Sequence, residues 1–157
     1  RYRVVGSRSG VRGARCGVWA PRGRVTAGGR GTSGSGLPAS IVVQVAPADS
    51  LVIDIAGDAS VQMTMQEMAT ASQYELPVKI FILNNQYMGM VRQWQQLLHG
   101  NRLSHSYAEA LPDFVKLAAA SGVAWLQALP PAARDGASKA MSAATSAGRF
   151  DARVPSR

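Results

Sequence analysis

The sequence predicts an α/β fold, a parallel sheet with flanking helices, on three observations. The runs "LVIDIA" (51–56) and "VKIFIL" (78–83) are short, apolar and rich in β-branched residues, and turn residues bound each of them. Between them, "VQMTMQEMATASQY" places Val61, Met65, Met68, Ala69 and Ser72 at helical spacing, with small or apolar side chains on one face. Strand, helix and strand in so short a span make a βαβ unit, which requires parallel pairing and a right-handed crossover.

The remaining elements follow from local signals. "GTSGSGLPAS" (31–40) reads as a Gly/Ser-rich loop, and Pro38 suits the first turn of a helix running through "ASIVVQVA". "APADS" (46–50) is a turn. Pro77 closes the central helix at "ELP", because the residue before proline disfavours the α region. Two further helices, "MGMVRQWQQLLHG" (88–100) and "LPDFVKLAAASG" (111–122), end at Gly100 and Gly122. "VAWLQAL" reads as a strand, "PAARDGASKAMSAA" as a weak helix and "RFDARV" (149–154) as a last short strand. No internal repeat is present.

At 157 residues the chain can bury one core and is too short for two domains. No apolar run approaches the roughly 18 residues of a membrane helix. The chain begins at Arg1 rather than Met and so reads as a fragment or a processed product. The single cysteine, Cys16, excludes an internal disulfide framework and a multi-cysteine metal site, and fits a reducing compartment. The net charge of +8 resides in residues 1–30, which hold eight arginines and no acid, whereas nine basic and nine acidic residues cancel over 31–157. Such an Arg/Gly-rich segment could touch RNA or an anionic surface, or belong to a transit peptide. Its lack of periodicity favours an end of low order, with the ordered domain spanning 31–157 and nucleic acid not expected as a partner.

Chemistry concentrates in two turns. Gly57-Asp58 follows the first strand of the βαβ unit, and Asn84-Asn85 follows the second. Ligands of parallel sheets bind outside the carboxyl ends of the strands, so a carboxylate and an amide 27 positions apart are expected to converge. An amide does not titrate and serves acid–base chemistry poorly. A carboxylate with a neutral carbonyl oxygen suits Mg²⁺, a hard ion that takes a few protein oxygens and leaves others to phosphate. Ala59 and Ser60 open the next helix, whose free N–H groups could hold that phosphate. Two readings stand on these residues. In one, Asp58 and Ser60 cap a helix and the asparagines make a turn, with no ligand. In the other, the two turns form a Mg²⁺–diphosphate site, with Asn84 as the turn and Asn85 as the ligand. Their joint occurrence in one βαβ frame favours the second.

These residues also carry a family resemblance. "GDAS" and, some 25 residues on, "NN" resemble the thiamine-diphosphate motif of the thiamine enzymes. The run from "DSLVIDIAGDAS" through "NNQYMGMVRQWQ" and "NRLSHSY" to "AAASGV", about residues 49–123, closely resembles the C-terminal cofactor domain of acetolactate synthase (acetohydroxyacid synthase) large subunits. "GGRGTSGSGLPAS" and "FDARV" are weaker echoes. The resemblance implies a thiamine-diphosphate-binding fold, here truncated. It implies Asp58, Asn85 and the backbone oxygen of Tyr87 as Mg²⁺ ligands, with Gly57, Ala59 and Ser60 against the diphosphate and Gly89 and Met90 beside the cofactor's rings. Trp94, and less definitely Arg92 and Val91, would line the substrate channel. The implied reaction decarboxylates pyruvate and condenses it with a second 2-oxoacid, towards branched-chain amino acids. FAD would bind the parent family through a domain not in this chain. A homodimer and a regulatory subunit are implied as partners; the implied compartment is the cytoplasm in a bacterium, or a plastid or mitochondrion in a eukaryote.

The match also has gaps. Ser33 and Ser35 replace a methionine and a tyrosine of the family's glycine loop, and the family's C-terminal lid has no counterpart. The glutamate that activates the cofactor belongs to an N-terminal domain and reaches across from the other subunit. No catalytic residue is therefore assigned within this chain, and the expectation is a polypeptide inactive alone. Another thiamine-dependent 2-oxoacid decarboxylase or carboligase, or a non-catalytic α/β module with a basic arm, are the alternatives. Met63, Met65 and Met68 are read as packing and helix surface, and His99 and His105 as surface hydrogen-bonding groups without metal-ligand spacing.

Overall fold

The computed structural model describes residues 2–6, 24–26, 32–46, 50–128 and 148–153. Among the described residues six strands form one sheet: β1 (Tyr2–Gly6), β2 (Arg24–Thr26), β3 (Leu51–Gly57), β4 (Lys79–Asn84), β5 (Ala124–Ala128) and β6 (Gly148–Arg153), in the order β2-β1-β3-β4-β6-β5. Every pairing is parallel. The helices are α1 (Gly36–Val45), α2 (Asp58–Gln62), α3 (Glu67–Gln73), α4 (Gly89–Leu98) and α5 (Phe114–Ala120). The α/β class and the central βαβ unit are as the sequence predicts, with β3 and β4 adjacent and Gly57 in register with Leu83.

Strand alternation sets the core. Val52, Asp54 and Ala56 of β3 are buried while their neighbours are half-buried, as the two-residue period of a strand requires. Asp54 and Ala56 pair with Ile80 and Ile82 of β4. Leu37 and Ile41 of α1 join Ala56, Ile80 and Ile82 in one apolar cluster with Val61, Met68, Ala71, Val78 and Phe114.

Three differences from the sequence reading have physical causes. Strands β1 and β2 lie inside the Arg/Gly-rich segment, where no element is predicted; β1 is held by five register positions along β3, from Tyr2–Leu51 to Gly6–Ile55, a partner its local composition cannot reveal. The single helix expected over 61–74 is two. From the end of α2 into the first turn of α3, Thr64, Glu67, Met68 and Ala69 donate to the carbonyls three residues back, a tighter winding than the α-helix. That change of winding resets the helical phase. Val61, Met68 and Ala71 face the core, whereas Met65 and Ala69, expected on the same face, are exposed. Gly100 and Gly122 do close α4 and α5, each with positive φ. The segment around Cys16 and the weak helix expected over 131–144 lie outside the described residues.

Candidate cofactor site

The carboxyl ends of β3 and β4 lie side by side, so their turns share one cleft of about 140 Å³. Ser33, Gly57, Asp58, Ala59, Ser60, Asn85, Tyr87 and Gly89 all line it, with Ile55, Leu83 and Met63 as apolar wall. A Cβ added to Gly57 would meet nothing within 4 Å, so the glycine leaves room directly before Asp58.

Asp58 is only 1% exposed, and its Oδ2 has no hydrogen-bond partner. Burial raises its carboxyl above the ordinary range, opposed by the backbone N–H groups of Ala59, Asp58 itself and Gln86. The Gln86 contact bridges the two turns. Asp58 opens α2 directly after Gly57 at the capping position, and its carboxyl takes first-turn N–H groups while Oδ2 stays unpartnered, so bonding to the helix start accounts for part of Asp58 only. Ser60 Oγ accepts from Gly34 N–H at 3.0 Å, and Thr64 Oγ1 donates to Gly34 C=O at 2.9 Å. The glycine loop is thus tied to α2 by both its amide and its carbonyl. Ser35 turns back within that loop, its Oγ donating to Thr32 C=O at 2.9 Å.

The asparagines divide their tasks differently from the sequence reading. Asn84 is the buried last residue of β4, with Oδ1 unpartnered. Asn85 is exposed and makes the turn, its Oδ1 accepting from Tyr87 N–H at 3.1 Å. Its oxygen keeps a second lone pair, and the residue lines the same cleft as Asp58. Gln86, between Asn85 and Tyr87, has φ of 61°, a left-handed conformation that reverses the chain.

Helix α4 follows at once. Gly89 lines the cleft, and Met90 is exposed and not part of its lining. Val91 contributes to the lining, and Trp94 is 58% exposed on the surface of α4. The Arg92 guanidinium stacks over the Tyr87 ring, 4.1 Å from its centroid. His105 bonds Ser104 through Nδ1 at 2.7 Å, the surface role expected of it. Sequence reasoning missed Thr64 and Gln86, which tie the loops of the cleft together, and the segment 104–108 that backs Tyr87. Such tertiary hydrogen bonds leave no period or motif in the sequence. It also passed over Asp54, whose carboxylate is fully buried, has both oxygens unpartnered and is pushed up to about 7 by that burial.

Among the described residues no three His, Cys, Asp or Glu side chains converge. The cleft offers one carboxylate, amide and backbone oxygens, and a short helix start, a donor set suited to a hard divalent cation carrying a phosphate. A parallel sheet with that cleft at its strand ends is the framework of a diphosphate-cofactor domain. The chain belongs to the thiamine pyrophosphate enzyme family, matching its C-terminal TPP binding domain over residues 7–150.

Similarity to individual proteins narrows the comparison. The chain is 49% identical over 111 residues to the acetolactate synthase isozyme 3 large subunit of Escherichia coli, covering 71% of this chain and 19% of that protein. It is 56% identical over 100 residues to the acetolactate synthase large subunit of Pyropia yezoensis, covering 63% and 17%. The mitochondrial acetolactate synthase catalytic subunit of Aspergillus candidus is 50% identical over 103 residues, covering 66% and 15%. The chain thus spans under a fifth of the length of these relatives. A thiamine diphosphate-dependent 4-hydroxybenzoylformate decarboxylase of Rhodococcus jostii superposes with a TM-score of 0.85 at 26% identity, covering 99% of this chain and 30% of that one. No helix among the described residues is long and apolar enough to cross a membrane.

Proposed function

We propose that this chain is the cofactor-holding part of an acetolactate-synthase-like enzyme, and that its cleft takes Mg²⁺ and thiamine diphosphate. The observation that carries the reading is the buried, unpartnered Oδ2 of Asp58, on a cleft shared with Asn85 and Tyr87. An uncompensated buried carboxylate oxygen is costly, and a divalent cation removes that cost. Asp58, the Asn85 amide oxygen and the Tyr87 carbonyl are the proposed ligands. Gly57, Ala59 and Ser60 would flank the diphosphate, with Gly89 and Met90 nearest the rings.

Thiamine diphosphate, when bound, supplies an electron sink for decarboxylation of a 2-oxoacid. This chain's part is to hold and orient it. Asp58 and Asn85 neutralise and place the cation, and Gly57 keeps the approach open. The Ser60–Gly34 tie fixes the loop across the cleft. Trp94 and Val91 would offer apolar surface to substrate. Arg92 is stacked on Tyr87, which favours support of the ligand turn over a direct substrate contact. Activation would fall to a glutamate of another domain, supplied by a second subunit of a homodimer. On this reading the complete enzyme joins pyruvate to a second 2-oxoacid for branched-chain amino-acid synthesis. It carries FAD in a further domain and a regulatory subunit, in the cytoplasm of a bacterium or in a eukaryotic organelle.

Calorimetric titration with thiamine diphosphate, with and without Mg²⁺, tests the site. Mg²⁺-dependent binding that disappears in Asp58→Ala and Asn85→Ala supports it; equal binding without the cation, or in either variant, refutes it. The likeness to a 4-hydroxybenzoylformate decarboxylase supports a second reading in which the site is the same and the 2-oxoacid differs. Turnover of pyruvate against aryl 2-oxoacids by a complete enzyme separates the two.

A further inference from the structure

We infer that residues 104–108 form a positioning strap that aims the Tyr87 carbonyl into the cleft, with Tyr107 as its anchoring side chain. The inference rests on the cation site proposed above and adds residues to it that do not touch the cation.

The geometry of the bridge is the argument. Tyr87 and Tyr107 face each other in an isolated antiparallel bridge. Met88 N–H donates to Ser106 C=O at 2.8 Å, and Ala108 N–H donates to Gln86 C=O at 2.8 Å. These two bonds make Tyr87–Tyr107 a non-hydrogen-bonded pair, in which the flanking residues turn their polar groups to the partner strand while the bridged residue's own N–H and C=O point away. The strap therefore occupies Gln86 C=O and Met88 N–H and leaves the Tyr87 groups on the opposite side. The Tyr87 N–H is seen there, donating to Asn85 Oδ1. A strand residue turns its carbonyl to the same side as its N–H, and on the reading proposed here that side faces the cleft that Tyr87 lines.

Side chains hold the bridge in place. The Tyr87 and Tyr107 rings sit 5.0 Å apart and tilted, an attractive aromatic geometry. The Arg92 guanidinium also stacks on the Tyr87 ring. Gln95 Nε2 donates to Ser104 C=O at 2.6 Å, fastening the start of the strap to α4, and Ser106 is buried. Without this backing, the left-handed Gln86 between two proposed ligands would have to be maintained by the Asn85 turn and the Asp58 contact alone.

The test compares wild type, Tyr107→Ala, Tyr107→Phe and Asp58→Ala. Each is read by the Mg²⁺ dependence of thiamine diphosphate binding, by melting temperature, and by hydrogen exchange at the Ala108 amide. Loss of the ring pair should weaken apparent Mg²⁺ affinity roughly three- to tenfold, the size of one aromatic pair. Phe should restore it. Because coupling is reciprocal, cofactor and Mg²⁺ should slow exchange at Ala108 in the wild type, although Ala108 does not line the cleft. Wild-type Mg²⁺ affinity in Tyr107→Ala, or Ala108 exchange unchanged by the cofactor, overturns the strap while the Asp58→Ala result leaves the cation site standing. Absence of Mg²⁺-dependent binding in the wild type overturns the cation site and the strap with it.

Discussion

Gly36 and Asp54 meet where the first turn of α1 crosses β3: a Cβ built on Gly36 would lie 2.5 Å from Asp54 Oδ1. Real Cβ atoms do not come so close, and the opposing atom belongs to a fully buried side chain with little room to move. Gly36→Ala should therefore destabilise the protein by about 1–3 kcal/mol, the usual cost of overpacking. In the double variant Gly36→Ala/Asp54→Ala most of that cost should disappear, because the atoms the new Cβ would strike are gone. Urea denaturation of the two single variants and the double gives the coupling. Strict additivity would show that the two residues do not press on each other.

Asp54 also makes stability depend on pH. Its folded-state pKa, pushed up to about 7 by burial, lies above the ordinary 3.8, so the folded state binds the proton more tightly than the unfolded chain. Its contribution is complete below the unfolded value and is lost as pH rises through about 7, with a slope approaching ~1.4 kcal/mol per pH unit between the two. Asp54→Asn cannot titrate and should flatten that part of the profile. The check is denaturant unfolding at several pH values on both proteins; parallel profiles would rule Asp54 out as the source.

Asp58 has one unpartnered oxygen and one set of backbone bonds, and the two oppose each other in Asp58→Ala. Removing the buried Oδ2 relieves a cost, while losing the bonds from Ala59, Asp58 and Gln86 N–H adds one, so the cation-free variant should differ from wild type by no more than about 1–3 kcal/mol. With thiamine diphosphate and Mg²⁺ present wild type should move ahead, because only the wild type gains ligand-linked stability, about 2.7 kcal/mol at a hundredfold excess over Kd. Melting curves with and without both ligands read this directly.

The tie between Gly34 and α2 should be measurable apart from any ligand. Ser60→Ala leaves the buried Gly34 N–H without its acceptor, which costs about 1–3 kcal/mol. Thr64→Val removes the complementary bond to Gly34 C=O at similar volume and should cost less, since a carbonyl tolerates one missing donor better. Thermal melts rank the two.

At α5 the effect is local. Asp113 Oδ1 accepts from Val115 N–H at 3.0 Å and Lys116 N–H at 3.2 Å, so Asp113→Ala should cost about 1 kcal/mol. Lys116→Ala removes only an exposed ion pair at 4.0 Å and should change stability little. Denaturant midpoints of the two variants separate the cap from the pair.

Much of this protein is legible in its residues. The apolar runs of β3 and β4 and the glycines closing α4 and α5 are local signals, because strand burial and left-handed helix ends each demand particular residue types. The pairing of Gly57-Asp58 with Asn84-Asn85 is legible as well, since a parallel βαβ unit brings successive strand ends to one edge. Other features are not written locally. The break between α2 and α3 coincides with Thr64's bond to the Gly34 loop, a partner 30 positions away. That the turn falls at Asn85 rather than Asn84 depends on where β4 ends, one residue later than the apolar run suggests. Strand β1 exists by pairing along β3, so its own composition says little.

The sequence by itself determined the fold class, the family and the neighbourhood of the cofactor cleft, because periodicity and a two-part motif are properties of the chain. Only the tertiary structure decided that Asp58 ends with an unpartnered oxygen, that Asn85 makes the turn, and that Gly36 must stay bare above Asp54. It also decided that residues 104–108 stand behind Tyr87. Each of these depends on atoms distant in sequence meeting within a few ångströms, and only the packed chain sets those distances.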